Sequence, residues 1–185
     1  MPTTNIVRAV QLSNLNEPIA PLAEKVLIRG RTIDGNTHGI NVDPPYQREP
    51  VWGEQRKRNL IRSILMGIPI GALIFNERSF PEWRVCVDGK QRLLTVRSFI
   101  MDDLVVPAEW WEKGHYDSFT TTAAGEYVSW RHLTLLGQRI FDAQAVTTTL
   151  TARLKASSLE ELLLKEGELF NLVNYGGVPQ GERDA

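Results

Sequence analysis

The sequence predicts an α+β fold: a small mixed sheet with packed helices and a helical C-terminal segment. Three observations predict it. Apolar stripes with a period near 3.6 mark helices at 54–66 and 90–101. Short apolar runs bounded by glycine, proline or polar residues mark strands at 72–77, 84–88 and 145–151. The resulting order (strand, helix, two strands, helix, then strand and helix) lacks the regular alternation of a doubly wound sheet.

Taken in order, residues 1–22, with Pro18 and Pro21, read as an arm leading into a single domain over 23–180; 181–185 read as a polar tail. Lys25–Gly30 (KVLIRG) is a short strand ended by glycine. Thr32–Pro45 is loop, with an extended piece around Ile40–Val42. Glu54–Met66 carries Leu60, Ile61, Ile64 and Leu65 on one stripe; Gly67 stops this helix and Pro69 prevents its resumption. Ala72–Glu77 reads as a buried strand with Arg84–Asp88 as its neighbour. A helix from Lys90 to Met101 follows, with Leu93, Val96 and Ile100 on one side. Asp102–Gly125, with Trp110 and Trp111, reads as a long surface excursion. A short helix at Arg131–Gly137, a strand at Ala145–Thr151 and a helix at Leu159–Val173 complete the chain, the last one capped by Ser157 and Ser158.

Composition removes several classes. The chain has 185 residues, with Lys+Arg 21 against Asp+Glu 22, so a basic nucleic-acid surface has to be local. One cysteine, Cys86, forms no internal disulfide, and with His38, His115 and His132 scattered it builds no zinc site. The longest apolar run, Ile64–Phe75, is interrupted by Gly67, Pro69 and Gly71, and a spanning helix needs about 20 residues. Residues 1–14 have no apolar core of a signal peptide. The expectation is a cytoplasmic protein without membrane contact.

Three stretches carry chemistry. In Val85–Phe99 a strand runs through Asp88-Gly89 directly into a helix. The first N–H groups of that helix lack internal partners, its dipole puts partial positive charge there, and Lys90 and Arg92 add full charges. Arg92 suits two phosphate oxygens, Lys90 acts as a point charge, and Asp88 suits Mg²⁺ or an attacking water. An equally good reading of the same turn is a capping box between Asp88 and Gln91. In Asp43–Arg62, Tyr46, Gln47 and Arg48 precede Trp52 and a helix bearing Arg56, Lys57, Arg58 and Arg62, a basic and aromatic mixture suited to nucleotides or DNA. For the helix arginines an ordinary solvated face is the simpler account. In Leu169–Gln180, a helix ends at Asn174, and Gly176 and Gly177 permit close approach of a ligand; taken alone, a glycine cap with a proline stop is the better account of them. Cys86 reads as core.

In this order, PPYQREPVWGEQRKRNLIRSILMGIPIGALIFNE, VCVDGKQRLLTVRSF and LFNLVNYGGVPQ resemble the N-terminal domain family of GmrSD-type modification-dependent restriction enzymes, over about residues 40–180. The resemblance implies a ParB/sulfiredoxin-like fold and an Asp-Gly-Gln-Gln-Arg motif associated with nucleoside-triphosphate binding and hydrolysis. That role falls on Asp88, Gly89, Gln91 and Arg92, supported by Tyr46, Gln47 and Arg48. Asn174, Gly176 and Gly177 would close the same cleft. Two positions depart from the pattern: Lys90 replaces the first glutamine, and Leu172 stands where arginine is usual. Relatives often carry a second, HNH-like nuclease domain, for which this chain has no room, so a separate nuclease chain is an expected partner.

The sequence therefore leads to a nucleotide-binding module of a DNA-recognition or restriction-type system, an NTPase if it turns over. Asp88, Gln91 and Arg92 are the catalytic candidates, with Asp88 on Mg²⁺. Tyr46, Gln47, Arg48, Gly89, Lys90, Asn174, Gly176 and Gly177 are the nucleotide candidates, and Arg56, Lys57, Arg58 and Arg62 the DNA candidates. The alternative is a non-catalytic, partition-like DNA-binding module on the Arg56–Arg62 face. A ParB-like nuclease follows only from the family, since Asp88 is a single carboxylate.

Overall fold

The structure is a computed structural model that describes residues 12–27, 39–47, 49, 51–78 and 84–175. Its main sheet has six strands in the order β1-β9-β4-β5-β3-β2. These are β1 (Leu12–Pro18), β2 (Val26–Leu27), β3 (Ile40–Asn41), β4 (Leu73–Glu77), β5 (Arg84–Asp88) and β9 (Val146–Ala152). The sheet is mixed: β1/β9 and β4/β5 are antiparallel, whereas β4/β9, β3/β5 and β2/β3 are parallel. The fold is α+β, as expected.

Alternation along the central strands gives the sheet two buried faces. Leu73, Phe75 and Cys86 point into the larger core, with residues of α1 (Ile19–Glu24), α2 (Glu54–Leu65), α3 (Lys90–Ile100) and α4 (Leu135–Gln144). Ile74 and Val87 point the other way, into a smaller cluster beneath α5 (Leu159–Tyr175) with Leu162, Leu169 and Phe170. Burial on both faces is why β5 reads VCV without alternation. Cys86 is fully buried, and that burial pushes its thiol well above the usual range, so it is core.

The helix ends follow their local sequence. At the end of α2, Gly67 takes φ +67°, its N–H reaching the Ile64 carbonyl and that of Ile68 the Ser63 carbonyl. This double bond pattern is the glycine stop that the sequence indicates. Ser158 Oγ accepts from the Glu161 N–H at the start of α5, while Lys165 and Ser157 hold the Glu161 carboxyl down to about 2.

Three expectations are corrected. Residues 12–24 are not an arm: β1 pairs with β9 along its whole length, and α1 buries Ile19, Ala20, Leu22 and Ala23. Its prolines fit because Pro18 and Pro21 sit at the start and first turn of α1, where no N–H is needed. The surface excursion expected at 102–125 holds for 112–125, which stay largely exposed, but not for 102–111, which bury Leu104, Val106, Ala108 and Trp111. The whole segment contributes β6 (Val106–Pro107) and β7 (Thr120–Thr122), which join β8 (Gly125–Val128) in a second, three-stranded sheet. Trp111 from this segment is buried and stacks 6.2 Å from Phe99. Finally, the short helix at 131–137 is a 3-10 turn at Trp130–His132, and α4 follows it, starting at a Thr134 cap.

Candidate functional site

The segment between β3 and α2 is shaped by its prolines. Pro45 occupies the second position of a turn closed by Gln47 N–H to the Pro44 carbonyl, 2.9 Å, a position its fixed φ favours. The turn sends Tyr46 and Gln47 in different directions. Because β3 stops at Asn41, the β5 carbonyls beyond it have no strand partner on that side. Gln47 Nε2 takes over, donating to the Cys86 and Val87 carbonyls at 3.0 and 2.8 Å. The tip of β5, and Asp88 with it, is thereby anchored to the Tyr-Gln segment.

At the strand-to-helix junction Gly89, not Asp88, is the cap residue of α3, with φ +103° and no side-chain cap bond. The capping-box expectation therefore fails: Gln91 Oε1 accepts from the Trp52 N–H at 3.4 Å instead, and Asp88 turns to Arg92. The cap residue offers no side-chain bond to the first turn, which begins at Lys90. A Cβ on Gly89 would also lie 2.2 Å from Leu73 Cδ2. Gly89→Ala is accordingly expected to lose about 1–3 kcal/mol of stability, measured by urea unfolding, since it adds left-handed backbone strain to a core clash.

The charges at this turn are engaged with one another. Arg92 donates through Nη2 to Asp88 Oδ2 at 2.8 Å and through Nη1 to the Ile70 carbonyl at 2.9 Å, tying α3 to the Pro69–Gly71 turn. Lys90, only 5% exposed, meets Asp43 Oδ1 at 2.6 Å. The lysine that departs from the family pattern thus brings a counter-ion with it. The second oxygen of Asp88, Oδ1, has no partner among the described residues.

These groups share one cleft of about 270 Å³, lined by Gln47, Glu49, Val51 and Trp52, by Asp88 through Arg92, and by Phe170 and Asn174. Three separated pieces of sequence thus converge: the Tyr-Gln segment, the β5–α3 turn and the end of α5. Glu49 and Asp88 balance Lys90 and Arg92 among the described lining residues, so the cleft is charged without being markedly electropositive. Arg48, Gly176 and Gly177 lie outside the described residues. Asn174 holds the Phe170 carbonyl through Nδ2 at 2.9 Å, and Leu172 is exposed away from the cleft lining.

Tyr46 does not line the cleft. It packs 5.7 Å from the Phe170 ring and donates its hydroxyl to Glu166 Oε2 at 3.3 Å. Burial, with Glu166 beside it, pushes the phenol far above its usual range. Glu166 itself is fully buried and also accepts from Asn76 Nδ2 at 2.6 Å and from the Arg78 fork at 2.9 and 2.6 Å. The sequence reasoning missed this network. The available signal was Glu166, a carboxylate on the α5 face that also carries Leu162, Leu169 and Phe170.

The α2 cations divide. Arg58 is taken up structurally by Glu54, by the Val105 carbonyl at 3.0 Å and by the Tyr127 ring at 4.9 Å. Arg56 and Arg62 are exposed but lie over Trp52 and Trp110, at 4.4 and 5.4 Å; Lys57 is half-buried. Arg58 is therefore a packing residue. Elsewhere Asp102, Ser129 and His132 meet, but Asp102 accepts from Ser129 rather than from the histidine, and Ser129 is buried. That arrangement caps a turn and lacks the relay of a hydrolytic triad. Among the described residues no group of three or more His, Cys, Asp or Glu could hold a metal, and no helix is long and apolar enough to cross a membrane.

The cleft is thus a charged strand-to-helix turn in a mixed sheet, walled by two further segments. The sequence model of the "GmrSD restriction endonuclease, N-terminal domain" family matches residues 30–180. The chain belongs to this family and is a module of a restriction-type system. No curated protein and no solved structure matches it.

Proposed function

We propose that this chain is the nucleotide-binding and hydrolysing module of a DNA-restriction system, taking a nucleoside triphosphate as its Mg²⁺ complex in the β5–α3 cleft. One observation carries the reading: Gln47, Asp88 to Arg92 and Asn174, far apart in sequence, line a single cleft at an uncapped helix start. The triphosphate lies against the first-turn N–H groups, with Arg92 shared between Asp88 and the phosphates.

Mg²⁺ commonly binds through one or two carboxylates plus substrate phosphates and waters, and the second oxygen of Asp88 offers that kind of site. When bound, the ion supplies charge neutralisation at the transferring phosphoryl group. The balanced cleft favours this form, because its described lining carries no net positive charge to offset bare triphosphate. DNA is the expected macromolecular partner, through Arg56, Lys57 and Arg62 and without Arg58, and a separate nuclease chain would carry cleavage.

The test is a nucleotide panel with Mg²⁺, with and without DNA, scored for binding and for phosphate release. Arg92→Ala should weaken triphosphate binding by about 10- to 100-fold, the loss of charge-assisted bonds. Circular dichroism of the variant checks that the fold persists. Unaltered affinity in a folded Arg92→Ala protein would put the ligand elsewhere. Steep salt dependence of DNA binding with indifference to nucleotides would instead favour the partition-like reading.

A further inference from the structure

We infer that the outer half of the cleft is a nucleobase platform, built from the Trp52 ring backed by Arg56 and flanked by Val51. The inference rests on the triphosphate reading and extends it from the phosphates to the base. Its starting point is the uneven lining. Asp88, Lys90 and Arg92 cluster at the α3 start, whereas Val51, Trp52 and Phe170 supply apolar surface to the same cleft, with Glu49 the one charged lining residue of the Val51–Trp52 segment among the described residues. Val51 is 76% exposed, so its side chain is open to a ligand at the cleft. Trp52 packs partly on the larger core yet still lines the cleft.

Two contacts fix the Trp52 position. Its backbone N–H bonds Gln91 Oε1, tying it to the first turn where the phosphates are proposed to sit. The Arg56 guanidinium lies 4.4 Å from the ring centroid. A guanidinium over an indole holds the ring in one orientation and adds a delocalised cation to the stack. The Gln91 side chain, held at its far end by the Trp52 backbone N–H, thus bridges the phosphate turn and the ring. Stacking uses a π-face that every base has, so the platform tolerates different bases.

The experiment compares Mg²⁺–ATP with Mg²⁺–tripolyphosphate, which shares the charge and lacks the base, on wild type, Trp52→Leu, Trp52→Phe and Val51→Ser. Wild type should bind ATP about 10-fold or more tighter than tripolyphosphate, the range expected for base–aromatic stacking. Trp52→Leu keeps a bulky apolar group on the core and should erase most of that preference, with tripolyphosphate affinity within about 3-fold of wild type. Trp52→Phe should retain part of the preference. Val51→Ser, at an exposed position, should reduce ATP affinity alone. Equal wild-type affinity for the two ligands overturns the platform while leaving the triphosphate reading standing. Parallel losses for both ligands in Trp52→Leu also overturn it, reducing Trp52 to a packing residue. Failure of wild type to bind either ligand overturns both readings.

Discussion

Asp88→Ala is expected to lower Mg²⁺-dependent phosphate release by about 100-fold or more, while triphosphate affinity stays within about 10-fold of wild type. The two effects separate because Asp88 holds no phosphate itself. Its carboxylate ends β5 beside the uncapped helix start, with Oδ2 on Arg92 and Oδ1 the only donor atom of its kind at that turn. On the proposed reading, removing it takes away the metal and water position. It also releases one arm of Arg92 and removes a negative charge facing the phosphates. In the absence of Mg²⁺ the variant should therefore bind triphosphate more tightly than wild type. Calorimetry with and without EDTA, alongside a phosphate-release assay, reads all three quantities. Hydrolysis within about 3-fold of wild type would remove Asp88 from the chemistry, since a general base or metal ligand contributes far more.

The largest expected effect on stability lies outside the cleft. Glu166→Ala should destabilise the domain by about 3–5 kcal/mol, the usual consequence of breaking a buried ion pair by deleting one partner. Glu166 is fully buried and receives Tyr46, Asn76 and both bonds of the Arg78 fork. Its loss strips those donors of their shared acceptor at a position that is itself fully buried. Glu166→Gln keeps the shape but replaces one acceptor oxygen with a donor facing donors, so it should also destabilise, by less. Because α5 carries Phe170 and Asn174 into the cleft, nucleotide affinity should fall with stability in these variants. Urea unfolding followed by circular dichroism measures the change. A loss below about 1 kcal/mol for the alanine variant would mean that hydrophobic contacts alone hold α5.

The two predictions differ in how visible their residues are in the sequence. Asp88 is visible in the sequence as the end of a strand before a glycine and a basic helix start, although a capping box accounted for the same turn equally well. Glu166 is not visible in that way, because a glutamate on an amphipathic helix ordinarily faces water. Its partners lie 88 to 120 residues away in the chain, at Arg78, Asn76 and Tyr46. Tyr46 shows the same limit from the other side. Its position next to Gln47 suggested a shared task, yet the Pro44–Gln47 turn sends the two side chains to different neighbourhoods.

Local sequence by itself determined the α+β class, the α2 and α3 helices with their glycine boundaries, the β4–β5 pair and the family's motifs. Each depends on periodicity, capping or φ preference within a dozen residues. Only the tertiary structure decided that residues 12–24 belong to the sheet and core and that Trp111 fills the main core. It alone paired Lys90 with Asp43, engaged Arg92 with Asp88 and Ile70, and gathered three segments around one cleft. Side-chain pairing depends on which distant groups share a desolvated space, and that is a property of the packed chain, not of any stretch of it.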